Sequence, residues 1–234
     1  MKRLLLLALS LLLSSCFDIR EEIWIQADGG GRAMLDYTVP SAAMALVGGE
    51  AGMREEIDKL LAEAPDLRLD AFTVTPSDDG FRVHMEASTD SMLSLMDLQE
   101  TEAFEDLPEA GKDLSGSFDV VVAGLDVKVS RRIEMGDALG PAALFIGSDD
   151  RDSRIMEYVI HLPTAAKEHN ADEVTDRGKT LIWKRTLGQA LRDPIVTRFR
   201  AKIPLPWWVI PAAIPIIALP AIALVRWIRR RKRA

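Results

Sequence analysis

The stretch that decides the fold is Ile23–Val39, which reads IWIQADGGGRAMLDYTV. Apolar and polar residues alternate on both sides of the glycine-rich segment 28–31, with the period of two that is typical of half-buried strands. Glycines favour a tight reversal of the chain, so the stretch predicts a β-hairpin. A phosphate-binding loop is the alternative, but the lysine and hydroxyl residue of such loops are missing and no helical pattern follows directly.

Two helices and a second hairpin are predicted downstream. Residues 67–75 and 81–86 predict the hairpin, because turn-forming residues cluster between them. The second helix is predicted to begin at a cap formed by residues 89–90 and to continue through Leu98. The first helix ends before Pro65 and has apolar residues at helical spacing, at Met53, Ile57, Leu60, Leu61 and Ala64.

The second half of the sequence consists mostly of strand patterns. Residues 118–123 and 125–133 are rich in valine and predict two strands, with a bulge or bend at Gly124 between them. Three further strands are predicted at residues 154–162, 179–187 and 195–201. The predicted fold class is therefore α+β, with a largely antiparallel sheet and two helices on one face of it.

The first sixteen residues have the pattern of a lipoprotein signal. Two cations precede the apolar run Leu4–Leu13, which is too short to span a bilayer. The sequence LSSC at residues 13–16 resembles the lipobox of bacterial lipoproteins, which implies removal of residues 1–15 and attachment of acyl chains such as palmitate to Cys16. An ordinary secretory signal with an incidental cysteine is the alternative. Cys16 is the only cysteine, so no disulfide is expected within the domain that follows.

The C-terminal region has the pattern of a membrane anchor. Trp207–Val225 contains no charge and, as a helix, is roughly 28 Å long, close to the thickness of the bilayer core. Six cations follow within residues 226–233, which is typical of a cytoplasmic flank. A buried helix of a soluble domain is the alternative, and these cations disfavour it. The predicted organisation is a signal peptide at 1–15, an extracytoplasmic α+β domain at 16–202, a transmembrane helix at 203–226 and a basic cytoplasmic tail at 227–234.

Charge is distributed unevenly along the chain. The whole chain carries −7, residues 1–16 carry +2 and residues 203–234 carry +6, so residues 17–202 carry −15. Such an acidic domain argues against nucleic acid as a partner and against broad contact with anionic lipid. The last predicted strand is different, because Arg198, Arg200 and Lys202 share one of its sides. We expect this membrane-proximal side either to meet lipid phosphates or to be a solvated sheet edge.

The sequence contains no recognisable catalytic motif. His84, His161 and His169 do not have the spacing of metal ligands, so three unrelated histidines are expected rather than a metal site. The aspartates within residues 149–152 resemble a calcium loop only in composition. The sequence therefore predicts no catalytic residue, metal or cofactor, and a protein that is not an enzyme.

One resemblance covers nearly the whole chain. The lipobox is followed by the hairpin at residues 23–31, a Pro-x6-Asn element at Pro163–Asn170, the motif GKTLIW at residues 178–183 and the terminal membrane helix. In this order of parts the sequence resembles the LppM-type membrane lipoproteins of bacteria. The resemblance implies one extracytoplasmic domain associated with the cell envelope, with lipid or glycolipid binding. The family has no ligand motif from which a binding residue can be carried over.

The predicted function is the capture of an amphiphile between the sheet and the helices. The residues expected to line an adaptable pocket are Leu60, Leu61, Met92 and Met96. Simple core filling is the alternative for each of them. A scaffold or accessory subunit of an envelope protein complex is the second hypothesis for the whole chain, and an enzyme is the third. The expected partners are membrane lipid, through the N-terminal acyl chains and the C-terminal helix, and an envelope protein.

Overall fold

A computed structural model describes residues 18–204 except 79, 93–98, 100, 108, 141–142 and 144–145. The strands in this part of the chain are β1 (Ile19–Ile25), β2 (Gly31–Val39), β3 (Leu67–Ser77), β4 (Gly80–Thr89), β5 (Ser117–Ala123), β6 (Asp126–Ile133), β7 (Ile155–His161), β8 (Glu168–His169), β9 (Glu173–Thr175), β10 (Thr180–Thr186) and β11 (Ile195–Lys202). The helices are α1 (Ser41–Leu46), α2 (Gly49–Glu63), α3 (Glu102–Glu105), α4 (Glu109–Ser115), α5 (Met135–Leu139), α6 (Ser148–Ser153) and α7 (Leu187–Ala190).

The strands form two sheets. Sheet A has the order β3-β4-β2-β1-β7-β10-β9, and sheet B has the order β5-β6-β11-β8. Neighbouring strands are antiparallel, except that β1 and β7 run parallel. The α+β class and the largely antiparallel pairing are confirmed, whereas the prediction of a single sheet is wrong. Alternation shows which residues face inward, but it does not show which strands pair.

The predicted hairpin at Ile23–Val39 is confirmed as β1 and β2, and all of β1 pairs with residues 31–37 of β2. Its turn closes with a hydrogen bond from Gln26 N to the Gly30 carbonyl at 2.8 Å. Gly29 has a φ of 97°, a conformation that glycine adopts without the steric cost of a Cβ. These glycines therefore form the turn of the hairpin.

The main core lies between the two sheets. Sheet A contributes Leu181 and Trp183, neither of which has exposed surface, and sheet B contributes Ile195 and Phe199, which are 2% and 3% exposed. Along β11, buried residues alternate with exposed or half-buried ones from end to end. Each sheet therefore presents an apolar face to the other, as in face-to-face packing of two sheets.

Asn170 joins the two sheets by hydrogen bonds. Its side-chain oxygen accepts from Trp183 Nε1 at 2.9 Å and from Arg198 N at 2.7 Å. Its side-chain nitrogen donates to the Val196 carbonyl at 2.7 Å. Trp183 belongs to sheet A, while Val196 and Arg198 belong to sheet B. The two sequence elements that end at Asn170 and Trp183 therefore meet in one structural contact.

Helix α2 corresponds to the first predicted helix and packs beside β3. The second helix is not seen at its predicted start, because Thr89 is the last residue of β4 and residues 90–92 are not helical. The Thr89 hydroxyl accepts from Ser91 N at 3.1 Å, a hydrogen bond that fits either a turn or the predicted cap. The rest of that prediction falls on residues 93–98, outside the described part. The other described helices have seven residues or fewer, so the predicted pair of helices on one face is not what this part of the chain shows.

The features predicted at the two ends of the chain lie outside the described residues. This applies to the signal peptide at 1–15, to Cys16 and to the uncharged run Trp207–Val225. Among the described residues, no helix has both the length and the apolar character needed to cross a bilayer.

Candidate ligand cleft between the sheets

A cleft opens between sheets A and B beside strand β5. Its cavity volume is about 30 Å³, which is room for about one or two water molecules. Alternate residues of a strand share a face, so β1 and β6 each place a charged residue and an apolar residue in this cleft. The residues that determine its chemistry are Glu21, Ile23, Phe118, Val129, Arg131 and Ile160.

Glu21 and Arg131 form a buried ion pair that links β1 of sheet A to β6 of sheet B. Their side chains are 6% and 10% exposed, and two guanidinium nitrogens donate to the carboxylate. The Tyr37 hydroxyl donates to Glu21 Oε1 at 2.7 Å, and Arg131 Nε donates to the Ser115 carbonyl at 2.9 Å. A buried pair needs such additional hydrogen bonds to offset the loss of water around both charges.

Burial and charge together determine the ionisation of this cluster. Burial alone would lower the pKa of Arg131, but the Glu21 carboxylate raises that pKa above its ordinary value. Burial raises the pKa of Tyr37 well above its ordinary value, and the charge of Glu21 adds to this effect. Burial also raises the pKa of Tyr158. Arg131 is therefore held as a cation, and the two tyrosines are held as neutral hydroxyls.

Phe118 stands at the open side of the cleft and is 41% exposed. The guanidinium carbon of Arg131 lies 5.1 Å from the Phe118 ring centroid and 5.6 Å from that of Tyr158, both within the range of cation–π attraction. Phe118 belongs to β5, which among the described strands is an edge strand paired with β6. The cleft thus combines apolar walls, a buried ion pair and one side formed by an edge strand of the described sheet.

The other face of sheet A carries a polar network. Trp24 stacks on His161, with ring centroids 5.0 Å apart and planes 7° apart, and the Arg32 guanidinium carbon lies 5.3 Å from the Trp24 ring. Glu22 lies 2.7 Å from His161 Nε2 and accepts from Arg20 at 2.9 Å. Burial would raise the pKa of Glu22, but the hydrogen bonds from His161 and Arg20 lower that pKa below its ordinary value.

A second histidine of this face lies between two carboxylates. His84 Nδ1 is 3.0 Å from Asp36, and His84 Nε2 is 3.3 Å from Glu86. The hydrogen bond to Asp36 raises the pKa of His84. The third histidine, His169, is on β8 of the other sheet. Among the described residues, no cluster of histidine, cysteine or carboxylate side chains has the arrangement of a metal site.

The residues predicted to line a pocket do not line this cleft where the structure describes them. Leu60 and Leu61 are half-buried on α2, and Met92 is half-buried after β4. Met92 packs so closely on Gly31 that a Cβ there would lie 2.1 Å from the methionine sulfur. Met96 lies outside the described residues. A pocket at these positions stays a prediction.

The three predicted basic residues share the outer face of β11, as the alternation of that strand indicates. Arg200 donates to Glu168 at 2.9 Å and to Asp126 at 3.3 Å. Arg198 and Lys202 are exposed, and neither forms an ion pair with another described residue. The predicted face therefore contains one neutralised cation and two that point to solvent.

Sequence reasoning missed the Glu21–Arg131 pair. A signal was present, because each charged residue occupies the apolar phase of its strand, two positions before Ile23 and Ile133 respectively. A charge at an inward position requires a buried partner. Local alternation cannot identify a partner that is 110 residues away.

Comparison with known proteins supports the fold. No family model and no curated protein matches the sequence. Among solved structures, the chain is similar to the NMR structure of the folded domain of LppM from Mycobacterium tuberculosis, with a TM-score of 0.51 and 14% sequence identity. The match covers 82% of this chain and 93% of that one. At this identity the similarity concerns the fold alone, so the described domain has an LppM-like fold.

Proposed function

We propose that this protein is a bacterial envelope lipoprotein whose extracytoplasmic domain binds an amphiphile without catalysing a reaction. It would be held in the cytoplasmic membrane by acyl chains on Cys16 and by one helix at Trp207–Val225, with the C-terminus in the cytoplasm. The lipobox and the uncharged run with its basic flank support the anchors. The LppM-like fold agrees with the resemblance that the sequence suggests.

The cleft between the sheets is the observation that carries the binding proposal. Its walls include Ile23, Val129 and Ile160, which suit an apolar chain, and Phe118 covers its open side. The Glu21–Arg131 ion pair beside Phe118 places polar groups without net charge in the cleft, which suits a hydroxyl-bearing head group. The cleft is narrow, so we expect β5 to move outward when a chain enters. An edge strand held by one neighbour opens at lower cost than a central strand does.

Two substitutions on neighbouring strands test this proposal in the full chain. Val129→Trp places a large side chain in the cleft, whereas Val121→Trp places the same side chain on the outer face of β5, where Val121 is 51% exposed. We expect lipid to co-purify with the wild type and the outer-face variant, and to be lost from the cleft variant. Mass spectrometry of extracted lipid gives the occupancy.

A melting curve of each variant shows whether the fold is retained. Overpacking costs on the order of 1–3 kcal/mol, so the cleft variant is expected to fold with a lower midpoint. A wild type that carries no lipid, or equal lipid in both variants, would contradict binding in this cleft.

A further inference from the structure

The tip of the β5–β6 hairpin is apolar and exposed. Val121 and Val122 are 51% and 50% exposed, and Leu125, which follows in the turn, is 42% exposed. Hairpin turns normally carry polar residues, as the β3–β4 turn does with Ser77 and Asp78. Exposed aliphatic side chains gathered at one tip mark a contact surface.

The same tip lies where the chain leaves the domain. Ile203, 38% exposed, follows β11 and donates its backbone N–H to the Leu125 carbonyl at 2.8 Å. Only Ile203–Pro206 separates β11 from the predicted membrane span. Four residues reach at most about 14 Å, even when fully extended. If the span is in the membrane, covalent connection alone brings this tip near the lipid surface.

Cations surround the tip on the outer face of sheet B. Lys128 is exposed on β6 beside Val121, and Lys202 is exposed at the end of β11. Arg198 lies on the same face of β11, farther from the tip than Lys202. None of these three side chains forms an ion pair with another described residue. Their positive charges are therefore free to meet anionic groups outside the domain.

We propose that the β5–β6 tip docks the domain on the anionic phospholipid surface of the membrane. Val121, Val122 and Leu125 enter the boundary between head groups and acyl chains, while Lys128 and Lys202 contact lipid phosphates. Residues 17–202 carry −15 in total, so the remaining surface is repelled by the same lipids. Attraction at one end and repulsion elsewhere give the domain one orientation. This inference rests on the membrane anchor of the proposed function, but not on the binding cleft.

A fluorescent label at the tip tests the docking in the full chain. In a Cys16→Ser background, Leu125→Cys supplies a single thiol at this tip, and Ser77→Cys supplies one at the polar β3–β4 tip as the matched control. Each labelled chain is reconstituted in vesicles of phosphatidylcholine and phosphatidylglycerol that contain a nitroxide-bearing lipid. We expect the nitroxide to quench the label at position 125 and to leave the label at position 77 unquenched.

Removal of charge tests the electrostatic part of the docking. Each basic residue near an anionic surface contributes about a fivefold increase in binding, so Lys128→Gln and Lys202→Gln should each lower the ratio of docked to undocked domain about fivefold at low salt. Lys59→Gln removes a cation from α2 and should leave quenching unchanged.

The outcomes separate the docking from the proposed function. An unquenched label at position 125 in a chain that stays with the vesicles overturns the docking and leaves the anchor standing. A chain that separates from the vesicles overturns the anchor and the docking together. Binding in the cleft is measured independently, by the lipid that co-purifies with the chain.

Discussion

The two faces of strand β1 show how differently neighbouring residues of one type are used. Glu21 faces the other sheet, has a side chain that is 6% exposed, and binds the buried Arg131. Glu22, the next residue, faces outward, has a side chain that is 14% exposed, and contacts Arg20 and His161, whose side chains are 46% and 29% exposed. The inner glutamate has a charged partner in the other sheet, whereas the outer one belongs to a network within its own sheet.

This difference has an energetic meaning. A buried charge that loses its partner stays away from water, so the cost of breaking the inner pair is high. An outer charge that loses its partner is hydrated again, so the cost is small. The inner pair is therefore expected to affect stability more than the outer pairs do.

The largest expected effect follows from removal of the inner cation. Arg131→Ala leaves Glu21 buried without a counter-charge, which should lower the free energy of unfolding by about 3–5 kcal/mol. Arg20→Ala removes an exposed partner of Glu22 and should cost no more than about 1 kcal/mol. Denaturant titration of both full-length variants in detergent, followed by tryptophan fluorescence, measures the two losses.

Equal losses in these two variants would contradict the distinction between the faces. A double variant with Glu21→Met and Arg131→Met tests whether the charges of the inner pair are themselves needed for stability. Because a buried ion pair is often replaced by apolar residues without loss, this variant should recover most of the stability that Arg131→Ala removes. A double variant as unstable as Arg131→Ala would mean that the charges themselves are required.

A smaller effect is expected from the neutral contact between the sheets. Asn170→Ala leaves the buried Trp183 Nε1 without its acceptor and should lower the free energy of unfolding by about 1–3 kcal/mol. His169→Ala changes the exposed neighbouring side chain and is the matched control. The same denaturant titration applies, and an Asn170→Ala variant as stable as the control would show that Asn170 does not join the sheets.

The smallest effect concerns pH and the outer face. The hydrogen bond to Asp36 raises the pKa of His84 above its ordinary value of 6.5. The stability that protonated His84 adds to the fold is therefore fully present below pH 6.5, and it is lost as pH rises through the raised pKa. We expect the wild type to exceed His84→Gln in stability by less than about 1 kcal/mol at acidic pH, and this advantage to disappear at alkaline pH. Melting midpoints across the pH range measure it, and an advantage that grows with pH would contradict the assignment.

Local features of the fold were predictable from the sequence, and pairings between distant segments were not. The β1–β2 hairpin and α2 follow from period and turn residues within about twenty positions. The break at Gly124 was predicted as a bulge or bend, but it is the turn of the β5–β6 hairpin, where Gly124 has a φ of 62°.

The candidate site was less predictable for the same reason. Methionines and leucines on helices suggested a pocket, but the cleft that the structure shows lies between sheets whose pairing no local pattern specifies. The basic face of β11 was predictable, because it depends on alternation within one strand. The ion pairs of Arg200 were not predictable, because Asp126 and Glu168 come from two other segments.

The parallel pairing of β1 with β7 affects the order in which the domain can fold. Arg20 and its β7 partner Glu157 are 137 residues apart, so one edge of β1 has no strand to pair with until most of the domain has been made. Contacts over such distances slow folding and leave strand edges open to aggregation. If the chain is exported from its N-terminus, as its signal pattern predicts, the first hairpin would reach the far side of the membrane long before its partner. We therefore expect this domain to depend on envelope chaperones during export.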